Sequence, residues 1–266
     1  MISLTRGAST REGISYHYFL KRLHGVIRPQ CYLEIGVDEG KTLALARCRA
    51  IGVDPSLKRL KQKRHIFTAE RFGLWSYQPE IHLFEMTSDQ FFHTQELNRL
   101  FDKKIDLAFL DGMHLFEFLL RDIINTERFT GRDSVIALHD CYPVNVEMSE
   151  REHQPDKRVD EQTRFLWTGD VWKLLPILRQ YRPDLRLVVL DCPPTGLVLL
   201  TNLNPTTGVL RENYDNIIRQ FEALTLRDFG LDHFRSTFPA LRSRSLCRSH
   251  ALRNLLKAKV NQSGDD

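Results

Sequence analysis

Short apolar runs alternate with amphipathic segments through the first half of the chain. The apolar runs predict β-strands at residues 31–35, 49–53, 81–85, 105–110 and 134–139. Between them, apolar residues at helical spacing predict helices at residues 42–48, 57–63, 88–101 and 116–129. Strands that alternate with helices form right-handed βαβ units, so we expect a parallel sheet that helices cover on both faces.

The second half of the chain predicts a different end to this sheet. Apolar runs at residues 185–190 and 196–203 are separated by a short turn that contains Pro193 and Pro194. Strands joined by so short a link pair antiparallel, so one edge of the sheet should be a hairpin. We therefore predict an α/β fold with seven strands, mostly parallel, and an antiparallel hairpin edge.

Helical patterns flank the predicted sheet at both ends of the sequence. We expect a helical segment at residues 1–30, a main domain at 31–204 and a helical, basic extension at 205–266. Residues 141–168 form a lid-like insertion in the main domain, because their polar, proline-containing first part lacks periodicity. Loops of this length are often lids or binding loops, and an insertion without function is the alternative.

Length and composition favour a soluble globular protein. A chain of 266 residues, 42% of them hydrophobic, suits one large α/β domain with appendages or two small domains. No apolar run reaches the roughly 18 residues of a membrane span, and the first residues lack the layout of a secretory signal. The five cysteines include no CxxC pair, which favours reduced thiols and a cytoplasmic location.

The net charge of +4 is concentrated near the end of the chain. From Arg235 to Lys259 there are seven Lys and Arg residues and no Asp or Glu. Such a run occurs in arms that bind nucleic acid or an anionic membrane surface, but it is more often a solvated terminal helix. The run contains few aromatic residues, so it lacks the stacking platform of a single-strand binding groove.

The turn after the first predicted strand carries a functional signal. It contains Gly36 and Gly40, with Asp38 and Glu39 between them. A dinucleotide fingerprint places closely spaced glycines beside a pyrophosphate, which two carboxylates would repel, so NAD fits poorly. A phosphate-binding P-loop also fits poorly, because the spacing before Lys41 is one residue short.

Acidic residues at the ends of the predicted strands suit a cofactor that has an ammonium group and a ribose but no phosphate. The carboxyl ends of parallel strands meet near the ligand site, and here they carry Glu34, Asp54, Asp111, His139 and Asp140. Glu34 is placed to help hold an ammonium-bearing end, and Asp54 is placed to accept the ribose hydroxyls. These features favour S-adenosylmethionine.

Five blocks of sequence resemble class I S-adenosylmethionine-dependent methyltransferases. The branch they resemble contains small-molecule and sugar O-methyltransferases, related to macrocin O-methyltransferase and to cephalosporin-hydroxylase-like proteins. The blocks begin at Leu33, Ile51, Glu85, Asp106 and Val135. The resemblance implies a doubly wound, Rossmann-like sheet. It also implies cofactor contacts from Glu34, Gly36, Gly40, Thr42, Asp54, Thr87, Ser88 and Asp111. Of these residues, Thr87 and Ser88 are expected beside the adenine.

The block Asp111-Gly-Met-His114, followed by Asp122 and then by His139-Asp140, is the most specific part of the resemblance. It implies catalytic roles for Asp111 and His114, with His114 as the general base and His139 as the second candidate. It also implies a divalent metal site at Asp111, His139 and Asp140. Metal-dependent relatives carry Glu where this chain has His139, which disfavours magnesium because that ion prefers oxygen ligands. A softer divalent ion, or no ion, is the alternative.

The favoured hypothesis is an O-methyltransferase that acts on a small, hydroxyl-rich acceptor such as a sugar unit. One alternative is a nucleic-acid methyltransferase guided by the basic tail, although the Asn/Asp-Pro-Pro-Tyr/Phe block of many amino-methylating relatives is replaced by Asp111-Gly-Met-His114. Another is a protein that keeps the fold without catalysis. Trp75, Trp167 and Trp172 are candidates to line the acceptor cleft, with core packing as their alternative role. A homo-oligomer is a further possibility.

Overall fold

A single mixed sheet forms the centre of the molecule. The structure is a computed structural model, and it describes residues 12–62, 80–93 and 97–257. In these ranges seven strands pair in the order β3-β2-β1-β4-β5-β7-β6. The strands are β1 (Cys31–Ile35), β2 (Arg49–Asp54), β3 (Ile81–Glu85), β4 (Ile105–Leu110), β5 (Thr130–His139), β6 (Arg186–Leu190) and β7 (Leu197–Thr201).

The pairing of the strands confirms the predicted sheet. Strands β1 to β5 pair in parallel, and β7 runs antiparallel between β5 and β6. The order reverses between β1 and β4, which lie side by side with Leu33 opposite Ala108. In open parallel sheets, ligands bind beyond the carboxyl ends of the strands at such a reversal.

The helices agree with the prediction in part. The helices are α1 (Tyr16–Ile27), α2 (Lys58–Gln62), α3 (Ser88–His93), α4 (Leu97–Leu100), α5 (Phe116–Glu127), α6 (Leu174–Tyr181), α7 (Val209–Glu212), α8 (Tyr214–Phe221), α9 (Leu226–Phe229), α10 (Leu231–Thr237) and α11 (Ser249–Lys257). The helix predicted at residues 42–48 is wrong, because only a 3₁₀ turn, Leu43–Leu45, forms there. The single helix predicted at 88–101 is two helices, and residues 94–96 between them lie outside the described part.

The sheet is covered on both faces, as a doubly wound fold requires. One layer packs α3 to α6, α8 and α10 against residues such as Leu33 and Leu138. The other packs α1, α2 and α11 against residues such as Tyr32 and Phe109. Alternate residues of β1 therefore face opposite layers, since successive side chains of a strand point to opposite sides of the sheet.

The two helical extensions meet each other on one face of the sheet. The guanidinium of Arg22, in α1, donates to the Cys247 carbonyl at 2.5 Å and to the Ser249 hydroxyl at 2.9 Å. Leu252 of α11 is fully buried in the same layer as Leu20 of α1. The apolar side of the basic C-terminal helix is thus covered by the N-terminal helix. Within the described ranges, no helix is long and apolar enough to cross a membrane.

Candidate active site

A cavity of about 760 Å³ opens at the carboxyl ends of β1, β2, β4 and β5. It therefore lies at the reversal of strand order. Eight of the residues predicted from the sequence line it, namely Gly36, Asp54, Thr87, Ser88, Asp111, His114, His139 and Asp140. The other three predicted residues, Glu34, Gly40 and Thr42, lie outside the described lining.

The turn after β1 approaches the end of β4 closely. Gly36 has φ +85°, and a β-carbon built on it would lie 1.9 Å from the Asp111 carbonyl oxygen. The Gly36 amide donates to the Val53 carbonyl at 2.9 Å, and the Asp111 amide donates to the Ile35 carbonyl at the same distance. Only glycine combines this positive φ with this close approach. Gly40, with φ +77°, ends the same turn.

Glu34 lies behind this turn. It is fully buried, and its carboxylate accepts hydrogen bonds from the Tyr32 hydroxyl at 2.6 Å and from the Thr42 hydroxyl at 2.7 Å. Burial raises the pKa of Glu34 to about 8, although these two hydroxyl donors oppose the rise. Glu34 and Thr42 thus fix the two ends of the turn against each other.

Asp54 occupies the wall of the cavity at the end of β2. One carboxylate oxygen accepts from the Asp38 amide at 3.0 Å, and the other accepts from the Ser56 amide at 2.8 Å. These bonds hold the carboxylate in one orientation while leaving further lone pairs for a ligand, because each carboxylate oxygen accepts more than one bond. Asp38 itself pairs with Arg59 at 2.5 Å.

Thr87 and Ser88 begin α3 on the adjacent wall. The Thr87 amide donates to the Gln90 side chain at 3.1 Å, and the Gln90 amide donates to the Thr87 hydroxyl at 3.2 Å, which is a capping arrangement.

Behind Ser88 lies Asp122 of α5, which is 2% exposed and has one carboxylate oxygen without a partner among the described residues. Burial raises the pKa of Asp122 to about 7, although a hydrogen bond with Ser88 opposes the rise.

The buried Asp122 predicts a pH-dependent stability that an Asp122→Asn variant removes. The folded chain keeps this proton up to about pH 7, whereas the unfolded chain loses it near pH 4, so the free energy of unfolding falls between these values. We expect Asp122→Asn to be about 2–4 kcal/mol more stable relative to wild type at pH 8 than at pH 5.

Denaturant unfolding at both pH values measures this difference. The exposed Asp133, at the opposite end of β5, supplies the control Asp133→Asn, which should show no such change. An equal change in the free energy of unfolding between pH 5 and pH 8 in both variants would contradict the assignment of this pH dependence to Asp122.

Two carboxylates and two imidazoles converge at the reactive end of the cavity. The Nδ1 of His139 lies 3.1 Å from Asp111 Oδ1 and 3.3 Å from Asp140 Oδ2. The Nε2 of His114 lies 3.1 Å from Asp140 Oδ2 and 3.7 Å from Asp111 Oδ1. Asp140, directly after β5, has φ +59°, a strained value for a residue with a side chain and one that recurs at functional sites.

Opposite charges set the protonation of these four groups. Burial lowers the pKa of His114, but Asp140 and Asp111 raise it to about 9. The same two carboxylates raise the pKa of His139 well above its usual range, despite burial. Burial raises the pKa of Asp111, but His139 and His114 hold it well below its usual range. In this arrangement both imidazoles carry a proton at neutral pH.

The donor set fits a divalent ion that accepts both oxygen and nitrogen. Asp111, His139 and Asp140 each offer one ligand atom, and these atoms lie within 4.8 Å of one another. A mixed set of carboxylate and imidazole suits zinc, iron or manganese better than magnesium, which prefers an all-oxygen shell. The same side chains also satisfy each other as ion pairs.

Three contributions to the site were missed from the sequence. The Tyr16 ring, at the start of α1, covers His139 with 4.0 Å between ring centroids. Thr195, from the link between β6 and β7, donates its hydroxyl to Asp140. The Trp167 carbonyl accepts from His114 Nδ1 at 2.8 Å, which directs His114 Nε2 towards the carboxylates. Each comes from a segment distant in sequence, and only Trp167, as a possible cleft residue, carried any signal.

The other two tryptophans have different outcomes. Trp172 is fully buried and packs against Phe229 and Phe234, so it belongs to the core. Trp75 lies outside the described residues.

Comparison with known families agrees with the fold. Residues 33–141 match the family model described as a methyltransferase domain. This match, which spans less than half of the chain, and the strand order confirm the predicted methyltransferase domain and its Rossmann-like fold. The cofactor of class I methyltransferases is S-adenosylmethionine. A search of curated protein sequences finds no match.

Several solved structures are distantly similar. A methyltransferase of Podospora anserina, PaMTH1, bound to SAH, has 15% identity and a TM-score of 0.48. The aligned part covers 71% of this chain and 78% of the PaMTH1 chain. The O-methyltransferase TomG of Streptomyces achromogenes, in complex with SAM, has 10% identity and a TM-score of 0.49, with coverages of 71% and 79%. An O-methyltransferase of Bacillus cereus has 12% identity and a TM-score of 0.47, with coverages of 70% and 80%.

Proposed function

We propose that the chain transfers the methyl group of S-adenosylmethionine to a hydroxyl of a small acceptor. The observation that carries this proposal is the convergence of Asp111, His114, His139 and Asp140 at one end of the cavity. Methyl transfer to oxygen requires alignment of the hydroxyl with the sulfonium methyl and removal of a proton. Four ionisable groups beside the cofactor turn are suited to align the hydroxyl and to remove its proton. A protein that kept the fold without catalysis would not need these groups.

The cofactor would lie along the strand ends from β2 to β4. Asp54 would accept the ribose hydroxyls, since it lines the cavity and two backbone amides hold its carboxylate in a fixed orientation. Thr87 and Ser88 would flank the adenine. The backbone of the turn from Gly36 to Gly40 would hold the methionine end, with Glu34 stabilising the turn from behind rather than facing the ligand.

His114 is the better placed of the two histidines to act as the base. Its side chain is 25% exposed and lines the cavity, and its Nδ1–H donates to the Trp167 carbonyl. That bond leaves Nε2 for the acceptor, on the side of the two carboxylates. His139 is 7% exposed, with Tyr16 over its ring and Thr195 beside its Nε2 at 3.4 Å. We therefore assign His139 to charge balance and to the positioning of Asp111 and Asp140.

A divalent ion held by Asp111, His139 and Asp140 would polarise the acceptor hydroxyl and lower its pKa. Metal ligands are deprotonated, so His139 would bind the ion as a neutral imidazole in place of its charged pairing with the two carboxylates, whose ligand atoms lie within 4.8 Å of its own.

The charge of the lining disfavours a nucleic acid as acceptor. Five aspartates, and no Lys or Arg, line the cavity among the described residues. A polyanion at the reactive end would meet carboxylates rather than cations, whereas nucleic-acid sites are rich in Lys and Arg. A neutral small molecule, as in the sugar-like acceptor predicted above, fits this lining better.

Calorimetric titration with S-adenosylhomocysteine tests the cofactor site. We expect micromolar binding, a loss of at least about 30-fold in Asp54→Ala because hydrogen bonds to a charged group are removed, and a smaller loss in Glu34→Gln. Asp133→Ala is the control and should bind as wild type, because Asp133 is exposed at the other end of the sheet. Absence of heat with both the cofactor and its product would refute the proposal.

A further inference from the structure

The mouth of the cavity beside His114 is apolar. Met113 and Phe165 both line the cavity, yet they are 54% and 75% exposed. They come from separate segments, Met113 from the loop after β4 and Phe165 from the end of residues 141–168. Leu166, Trp167 and Phe118 also line the cavity. Large apolar side chains left open at a cavity indicate a surface that a ligand covers.

This wall is held firmly against the proposed base. Trp167 donates from its ring nitrogen to the Glu150 carbonyl at 2.7 Å and accepts from His114 at 2.8 Å. The Thr168 amide donates to the Met148 carbonyl at 2.9 Å. Gly169, with φ +56°, lies so close to the His114 carbonyl that a β-carbon there would clash at 1.7 Å. The segment at Trp167–Gly169 therefore presents a fixed aromatic surface next to His114.

The wall provides few partners for hydroxyl groups. A sugar ring that covered Met113, Phe165 and Leu166 would place hydroxyls against apolar side chains. A hydroxyl that leaves water without a new hydrogen bond weakens binding, so the wall selects against polyhydroxylated rings. A flat apolar ring instead covers these side chains and stacks on aromatic neighbours.

The charge at the reactive end of the cavity also discriminates between acceptors. Asp38 and Asp89 are each paired with an arginine outside the lining, Arg59 and Arg121. At the reactive end, the described lining brings Asp111 and Asp140 together without a Lys or Arg residue. The guanidinium of Arg164, 5.9 Å from the centre of the Phe165 ring, already pairs with acidic residues at 3.3 and 3.5 Å. An anionic acceptor would thus find no free cation among these groups.

From these observations we infer that the acceptor is a hydroxylated aromatic compound that is uncharged or cationic. Its ring packs against Met113, Phe165 and Trp167, and its hydroxyl faces His114 and Asp140. This inference rests on the proposed methyl transfer and replaces the sugar-like acceptor by an aromatic one.

The transfer is balanced without a further reactant. The acceptor O–H gives its proton to Nε2 of His114 in its neutral form, and the oxygen forms a bond to the methyl carbon. The carbon–sulfur bond breaks with its electron pair going to sulfur. The products are an aryl methyl ether and S-adenosylhomocysteine, and His114 then releases the proton to water.

A set of compounds with adjacent hydroxyl groups tests the acceptor class with the full-length protein. The probes are 4-methylcatechol, dopamine, 3,4-dihydroxybenzoate, cis-1,2-cyclohexanediol and methyl glucoside. Methyl transfer is followed by mass, and acceptor binding to the protein saturated with S-adenosylhomocysteine is followed by calorimetry. We expect 4-methylcatechol and dopamine to exceed 3,4-dihydroxybenzoate and the two non-aromatic compounds by at least about tenfold in kcat/KM and in affinity. Preference for the carboxylate, the cyclohexanediol or the glucoside would overturn the inference.

Two variants locate the effect in the apolar wall. Phe165→Ala and Met113→Ala should raise KM for 4-methylcatechol at least about fivefold, with smaller changes in kcat. Binding of S-adenosylhomocysteine should stay within about twofold of wild type, since neither residue is assigned to the cofactor. Val159→Ala is the control, because Val159 is 84% exposed on the same segment and lies outside the lining. Unchanged KM in both wall variants would also overturn the inference.

The two readouts separate this inference from the proposed function. Aromatic probes that bind without being methylated would refute the methyl transfer and support the acceptor class. Glucoside that is methylated in preference would support the transfer and refute the acceptor class. Absence of binding by every aromatic probe would refute the acceptor class whatever the turnover.

Discussion

Gly36→Ala should lower the affinity for S-adenosylhomocysteine at least about 100-fold, because the added methyl group displaces the turn that holds the methionine end. The new β-carbon would lie 1.9 Å from the Asp111 carbonyl oxygen, and the residue would need φ near +85°. Relief of this clash requires that the end of β1 move away from β4. Such a movement breaks the bond from the Asp111 amide to the Ile35 carbonyl. It also shifts Asp111 relative to His139, so turnover should fall with affinity.

Gly25→Ala is the matched control for this substitution. Gly25 lies within α1, and a β-carbon there meets nothing within 4 Å. Alanine should therefore stabilise the helix by about 0.5–1 kcal/mol and leave cofactor affinity unchanged. Calorimetry gives the affinities, and circular dichroism with denaturant unfolding shows whether Gly36→Ala remains folded. A folded Gly36→Ala protein with wild-type affinity would refute the close approach of the turn to β4.

The sheet could be predicted from the sequence because its strands are buried on both faces. Runs such as residues 105–110 leave no polar face, and a buried parallel strand requires such a run. The antiparallel hairpin followed from the short link before β7. The pairing order itself is consistent with the predicted alternation, and the seven strands lie at or within a few residues of the predicted positions.

The failed helix at residues 42–48 shows a limit of apolar periodicity. Leu43 and Ala46 lie three residues apart, as on one face of a helix, and both are buried. However, few residues separate Gly40 from the start of β2, and so short a helix has little stability of its own. Ala46 adopts an extended conformation instead, which returns the chain to the sheet. The same burial pattern fits both conformations, so periodicity alone did not distinguish them.

The site could be predicted only where strand ends define it. Asp54, Asp111, His139 and Asp140 follow predicted strands, and parallel strands bring their ends together. Tyr16 and Thr195 reach the site from the first helix and the last hairpin, and no local pattern indicates such long-range contacts. Glu34 is instructive, because it shares one face of β1 with Tyr32. Its carboxylate therefore bonds to Tyr32 and Thr42 behind the turn, a consequence of strand alternation.

His114→Ala should lower turnover by about 10²- to 10⁴-fold, the usual contribution of a general base. Binding of S-adenosylhomocysteine should be nearly unchanged, since His114 is assigned to the acceptor side of the cavity. His153→Ala is the matched control. The His153 ring stacks on the Trp167 ring at 5.6 Å, as His114 packs beside it at 5.1 Å, but His153 has no contact with the two carboxylates. Wild-type turnover in His153→Ala would show that loss of Trp167 packing is not the cause.

The pH profile provides the second test of His114. Burial lowers the pKa of this imidazole, but Asp140 and Asp111 raise it to about 9, so the neutral base form is scarce at pH 7. The kcat/KM of the wild type should therefore rise about tenfold per pH unit at low pH and level off near pH 9. Asp140→Asn removes a negative charge 3.1 Å from His114 Nε2, which should move the rising limb to lower pH. A rising limb that persists unchanged in His114→Ala would assign the titration, and the base, to another group.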